Sequence, residues 1–443
     1  MKKYIYIISF LALSISLNAQ EKKMEFSLDE AIKFALTNSY NAKAAENDIK
    51  IAKETVWETT TIGLPQINGS VDYQNFIKQP ISVADINGDG VNEEFIFGTK
   101  QNVNASVTLT QLLFDGSYLV GLQASKTFLK ISEQAKEKTE LLTREAVINA
   151  YGTILVTEKS IEILKRNQLV NDGILRGARI GYENGLAEQE DVEQFEIIKG
   201  NIENNIKASL RIKGIAYKML NIALGNPIET NLVLTDTLES LVLANTDLNL
   251  LVEDFNINNH IDFKIAENDR ETKRLMVQLE KSKNLPSLSA FVNYGTQAFA
   301  NNFTFFKGEQ RWFQSSLLGV SLNVPIFSSF GRKAKTAQAK LNLETADLRL
   351  EETRQKLSLA AQSAKSDYEL SIDNYQTAQK NLNLAERIEK KQQIKFNEGI
   401  TTSFDLLQAQ NQLYSQQNAY VQAMLNIIAK KATLENALNI PIK

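Results

Sequence analysis

Cysteine is absent from the 443 residues, and histidine occurs once, as His260. Without thiols there is no disulfide scaffold, thiolate chemistry, Cys-ligated zinc or lipid on a processed N-terminal cysteine. One histidine permits at most a single Ser-His-Asp triad and no His-rich metal centre. An excess of positive charge is also missing: 49 Lys and Arg stand against 52 Asp and Glu, net −3, and no basic block tracks phosphates. That excludes a strongly basic nucleic-acid binder. Gly-rich phosphate loops, metal-ligand clusters and nucleophile motifs are not found, so the chain reads as no enzyme. Beyond the N-terminus no window approaches 18 uncharged apolar residues, so no transmembrane helix is expected.

Proline is scarce and unevenly placed, at Pro65, Pro80, Pro227, Pro286, Pro325 and Pro441. Two long stretches, Gly116 to Asn226 and Ser328 to Ile440, have none, and both are rich in Ala, Leu, Glu, Lys and Gln. An interior proline costs a helix about 3 kcal/mol, so its absence permits very long helices. From Lys333 to Phe396 a single helix would reach about 95 Å at 1.5 Å per residue. Its row Ala361, Ala364, Tyr368, Tyr375, Ala378, Leu382 and Ala385 is a heptad-like seam of small residues that lets helices approach closely. At the N-terminus, Lys2 and Lys3 precede an apolar stretch, Ile5 to Leu17, and a cut ahead of Gln20. Residues 1–19 are therefore expected to be a secretory signal peptide.

The chain also repeats itself. Leu64-Pro65 answers Leu285-Pro286, and the run Leu109 to Phe114 answers Leu322 to Phe327. Tyr182-Glu183-Asn184-Gly185-Leu186 with Asp191 answers Phe396-Asn397-Glu398-Gly399-Ile400 with Asp405, about 214 residues on. Ala223 to Pro227 answers Ala437 to Pro441. Four matches in one order indicate tandem duplication: a first half 20–227, a linker 228–256 and a second half 257–443. Each half is expected to carry two strands, near 66–75 and 102–114, then 287–297 and 315–327, followed by long helices to 226 and over 331–440. The strand segments alternate, as in Ile67, Gly69, Val71 and Tyr73 against Asn68, Ser70, Asp72 and Gln74. About ten residues with one apolar face suit a tilted membrane strand, and a soluble sandwich gives the same alternation. Aromatics at the strand ends, Phe114, Tyr118, Phe327 and Phe330, fit an interfacial girdle. Four strands cannot close a barrel, so a barrel needs several chains to pool them.

With these features the sequence resembles the TolC family of outer-membrane efflux and secretion channels. The duplication, the Leu-Pro strand starts, the strand-to-helix passage Gln111 to Gly116 and the paired tip motifs carry the resemblance, from Ser27 to Pro441. It implies a mostly α protomer that gives four strands to a trimeric twelve-stranded barrel continued by a long periplasmic α-helical barrel. Ser27 to about Ile62 and Ile261 to about Asn284 would be shorter helices, and 228–256 an equatorial segment. Partners would be two further copies of itself, a periplasmic adaptor (membrane fusion) protein, an inner-membrane pump and outer-membrane lipid, with no nucleic acid. The protein would lie in the outer membrane, not lipidated, as the passive duct of a tripartite efflux or type I secretion system. Gly185, Leu186, Gly399 and Ile400 would be adaptor-contact tips. Asp191, Thr401, Asp405 and Gln408 would ring the periplasmic aperture. Gln408 stands where the family pattern has a second aspartate, and Thr401 where it has a basic latch.

Two readings stay beside this one. The alternating segments would also serve a periplasmic or surface coiled-coil scaffold with no channel. Asp85, Asn87, Asp89, Gly90 and Glu93 match the start of a calcium loop, but Ile96 replaces the bidentate Glu at the twelfth position, and Asn-Gly and Asp-Gly turns explain the same residues. Structural Ca2+ there would be the one cofactor. His260 is expected near a helix start, and the many carboxylates of the Lys/Glu-rich helices on solvated faces.

Overall fold

The computed structural model describes residues 24–86 and 88–440. The expected signal peptide, Asn87 and Pro441 lie outside the described residues. Two compact units are present, and each draws on both halves of the sequence. One contains 49–132 and 266–350, the other the residues up to 48, 133–265 and 351 onward.

The first of these units is built on a four-stranded antiparallel sheet of β2 (Gln66–Asn75), β5 (Gln101–Phe114), β7 (Ser287–Ala300) and β8 (Trp312–Asn323), paired in the order β2-β5-β7-β8. Three of the four strands start or end beside a proline. Pro65 and Pro286 immediately precede β2 and β7, and β8 stops at Asn323 rather than near 327, because Pro325 offers no N–H to the ladder. Register carries the alternation across all four strands. Ile67 faces Leu109, Leu109 faces Val292 and Val292 faces Leu318, so the apolar residues fall on one side. On the other side Ser70 meets Ser106 at 3.1 Å, and the Asn293 amide donates to Thr108 at 2.7 Å. Gly319 is required on that polar side, since its partner Phe291 lies across it where a Cβ would come within 2.4 Å of the ring. The expected loop between β2 and β5 holds a hairpin of its own, β3 (Ile81–Ala84) with β4 (Glu93–Ile96). Tyr118, just past the end of β5, lays its ring over Gly63, and its hydroxyl donates to Thr60 O at 3.3 Å.

Long helices follow the strands. α3 (Gly116–Glu183) has 68 residues, roughly 100 Å at 1.5 Å each, and starts where Asp115 accepts the N–H groups of Ser117 and Tyr118. α4 is Gln189–Leu224; in the second half α8 (Gly331–Asn397) and α9 (Ser403–Ala437) repeat the pair. The shorter helices are α1 (Leu28–Asn38), α2 (Tyr40–Thr61) and α7 (Ile261–Ser282). The expected single helix from Ser27 breaks at Ser39, which has ψ 150° and accepts the Ala42 N–H on its hydroxyl.

The other unit has its main core where α1, α3, α4, α8 and α9 meet the linker. Side chains such as Leu220, Leu224, Ile427 and Ile428 are fully buried there, each worth about 1.5–3 kcal/mol. The linker is structured: β6 (Leu232–Leu234) pairs in parallel with β1 (Met24–Phe26), followed by α5 (Leu238–Asn245) and α6 (Asn249–Val252). Two buried tyrosines of the long helices hold it. Tyr151 donates to Phe26 O and Asp236 Oδ2, both at 3.0 Å, while Asp236 also accepts the first N–H of α1, at Leu28. Tyr368 donates to Asn245 O at 2.6 Å and accepts from Asp247 N at 2.9 Å. Of the seam, Ala361, Ala364, Tyr368, Ala378 and Ala385 are buried, and Tyr375 and Leu382 are half-buried.

Candidate functional site

Both long helix pairs turn at the expected positions, and by the same device. Gly185 and Gly399 take φ of 72° and 69°, the left-handed region that glycine enters without steric cost. At the first tip the Gly185 N–H donates to Tyr182 O and the Leu186 N–H to Gly181 O; at the second, Gly399 donates to Phe396 O and Ile400 to Lys395 O. Each is a Schellman motif. Its usual hydrophobic contact is not made, because Leu186 is 84% and Ile400 74% exposed.

The following helices start differently. Asp405 sits inside its own cap: its Oδ2 accepts from the Thr401 hydroxyl at 2.8 Å, the Thr402 hydroxyl at 2.9 Å and the Thr402 N–H at 3.4 Å. Those donors, the Thr401 hydroxyl foremost, hold its carboxyl below the ordinary range. In the first half Ala187, Glu188 and Gln189 stand where the second has Thr401, Thr402 and Ser403, so no hydroxyl serves Asp191 locally. Its Oδ2 accepts only the Glu188 N–H at 3.2 Å, and its Oδ1 accepts the hydroxyl of Ser403. That bond ties one tip to the other. Asp191 and Thr401 are thus brought into one cluster with Asp405, while Gln408 is exposed and takes no part in these bonds.

Sequence reasoning missed Ser403, whose only signal was its place in a hydroxyl run suited to capping. It also missed a glycine row on α3. Gly173, Gly177 and Gly181 follow one another at helical spacing, and a Cβ at Gly173 or Gly177 would meet nothing within 4 Å. With Leu186, Asp191, Phe396 and Ser403 they border a groove of about 810 Å3. Beneath the tips, Ile174, Phe195, Ile198, Ile202 and Leu406 form a small core, with Phe195 and Phe396 edge to face at 5.8 Å. One expectation about charge is overturned: Glu389 of α8 is buried, not on a solvated face. His260 lies at the start of α7, as expected, and its Nδ1 accepts the Asp262 N–H at 3.1 Å.

In the 85–94 loop both oxygens of Asp85 accept backbone N–H groups, from Gly88 at 2.7 Å and Gly90 at 2.8 Å, and Asp89 accepts from Val91 at 2.8 Å. Asn87 lies outside the described residues. Among the described residues no three His, Asp or Glu side chains converge to hold a metal ion, and no helix is long and apolar enough to cross a membrane.

Residues 256–439 match the family described as outer membrane efflux protein. The chain is 24% identical over 323 residues to TtgC of Pseudomonas putida, a probable efflux pump outer membrane protein. That match covers 71% of this chain and 64% of TtgC, so the chain spans less than two thirds of this relative's length. Among solved structures, the CmeC outer membrane channel of Campylobacter jejuni superposes with a TM-score of 0.74 at 17% identity, over 93% of this chain and 85% of CmeC. The outer membrane protein VceC of Vibrio cholerae gives 0.72 at 15%, over 94% and 97%. The fold is that of these proteins, mostly helical with one open four-stranded sheet.

Proposed function

We propose that this chain belongs to the outer membrane efflux protein family and is the exit duct of a tripartite efflux or type I secretion system. The observation that carries this reading is the sheet. Its apolar side leaves Ile67, Val71, Leu318, Val320 and Leu322 between 62% and 74% exposed, and among the described residues β2 and β8 pair on one side only. An open apolar sheet is a liability in water and impossible in lipid, where every backbone group needs a partner. Three copies joined β2 to β8 would close a twelve-stranded barrel, with Ser70, Ser106, Thr108 and Asn293 lining a polar lumen. The duct hydrolyses nothing, and energy comes from an inner-membrane pump.

The tips are the periplasmic entrance. Leu186 and Ile400, left exposed by their own turns, and the glycine-rowed groove suit a helical hairpin of an adaptor protein, since helix-interior glycines cost about 1 kcal/mol each against alanine and reward close backbone approach. The Asp191–Ser403 bond and the Asp405 cap hold the closed entrance. Calcium at the 85–94 loop is a separate proposal, tested by calorimetric titration of Ca2+ against Asp85→Ala: heat in the parent that the variant lacks supports it, and no heat ends it.

Mass in detergent, beside planar-bilayer conductance, tests the duct. A trimer with discrete channel events is expected. A water-soluble, non-conducting monomer would overturn the duct and favour the coiled-coil scaffold.

A further inference from the structure

Glu389 is the one Asp, Glu, Lys or Arg that is buried among the described residues, at 9% exposure. It lies on α8 about two turns before the second tip. Beside it on α9 is Gln410, 1% exposed, close enough to favour the ionised carboxyl, yet neither of its amide atoms completes a hydrogen bond. A cavity of about 260 Å3 opens next to Glu389. Asn167 of α3 and Gln417 of α9 wall it and bond each other at 2.7 Å, so neither amide nitrogen is committed to the carboxyl. A buried amide with neither atom partnered, beside a buried carboxylic residue on the next helix, is costly in a packed layer and needs an explanation.

The charged and titratable neighbours do not neutralise Glu389. α3 contributes Arg166 to the cavity, and α8 itself Glu386 and Lys390, all three exposed to solvent. α9 contributes Tyr414, whose phenol burial pushes up to about 12, with the Glu389 charge adding to it, so it stays neutral. α4 contributes no lining residue. Burial is the larger influence on Glu389 and raises its carboxyl above the ordinary range.

We propose that Glu389 and Gln410 form a proton-dependent lock between α8 and α9. A neutral carboxyl lets the two helices stay packed, and its ionisation favours a separated arrangement in which water reaches it. Glu389 is then a positioning residue for the entrance, and the lock rests on reading the tips as the gate of a duct. The sign follows from linkage. A carboxyl raised in the packed state stabilises packing fully below its ordinary value of 4.5, and that stability is lost as pH rises through the raised value. Asp405, held low, titrates below this window.

In planar bilayers the open probability of the full-length protein should rise at least about threefold from pH 4 to pH 8. Glu389→Gln should stay at the acid level throughout, and a wild-type pH profile in that variant would overturn the lock. A second measurement does not depend on conduction. Because the chain has no cysteine, spin labels at Lys391→Cys and Asn411→Cys report the α8–α9 separation in detergent. The separation should widen from pH 4 to pH 8 and become pH-independent with Glu389→Gln. Equal separations at both pH values overturn the lock whether or not the protein conducts. A pH-dependent separation in a protein that never conducts upholds the lock and sinks the duct.

Discussion

Gly225 and Asn439 occupy corresponding helix ends in the two halves, and both are left-handed, at φ 79° and 54°. Their backbone bonds match: Gly225 to Ile222 O and Asn226 to Asn221 O, then Asn439 to Asn436 O and Ile440 to Glu435 O. The side chains differ for reasons outside the turn. A Cβ at Gly225 would lie 2.3 Å from Asn38 O, where the break between α1 and α2 passes. Asn439 has room, and its side chain accepts the Ile261 N–H at 3.0 Å and donates to Asn259 O at 3.2 Å, capping α7. The tips repeat this lesson, with equal Schellman turns and unequal caps. Local sequence sets the turn, and the neighbour decides which side chain it can carry.

Gly225→Ala should break the comparison most severely. Left-handed strain of about 1–2 kcal/mol is joined by a collision with backbone, which yields less than a side chain, for a total of about 3 kcal/mol or more. Asn439→Gly should cost only about 1 kcal/mol, because relief of the left-handed strain offsets part of the two lost hydrogen bonds. Denaturant unfolding of both variants checks the contrast, and equal losses would mean that Asn38 yields freely. Next come Gly185→Ala and Gly399→Ala. At both sites a Cβ meets nothing within 4 Å, so each should lose about 1–2 kcal/mol, and the two losses should agree. A marked difference between them would show that one tip turn is held by more than its own backbone.

The turns were legible in the sequence because everything that makes them is local. Gly185, Gly399, Asp191 and Asp405 announce a left-handed residue and a helix start within a few positions. The strands were legible for the same reason, through period-two alternation and the prolines beside them, although β8 ends at Asn323 and the β3–β4 hairpin was read as a loop. What escaped was contact over long separation. Ser403 meets Asp191 across 212 positions, and no pattern near either residue encodes it. Glu389 escaped because a single buried carboxylate looks like its many solvated neighbours until Gln410 and the cavity are placed beside it.

The bond between the tips is the next asymmetry to test. Asp191→Ala strands a Ser403 hydroxyl that is only 7% exposed, and a double-mutant cycle with Ser403→Ala should give a coupling of about 1–2 kcal/mol. The Asp405–Ser403 cycle should show none, since Asp405 bonds only within its own cap. On the duct reading the single-channel record should follow: Asp191→Ala and Ser403→Ala both raise open probability, and the double variant adds little to either. Additive effects would dissolve the link.

The smallest effect concerns the acid side of the second cap. The carboxyl of Asp405 is held low by the Thr401 hydroxyl first, then by the Thr402 hydroxyl and N–H. A depressed carboxyl contributes stability above its ordinary value of 3.8 and loses it as pH falls through the folded value, so the window lies below pH 3.8. Thr401→Val with Thr402→Val removes both hydroxyls while keeping the β-branched shape. The Asp405 carbon resonance should then titrate closer to 3.8, and the acid loss of stability at this tip should shrink. The Asp191–Ser403 bond should persist in that variant, because neither of its partners is touched. An Asp405 titration identical in parent and variant would assign the low carboxyl to the helix N-terminus rather than to the hydroxyls. The two caps would then differ in the Ser403 link alone.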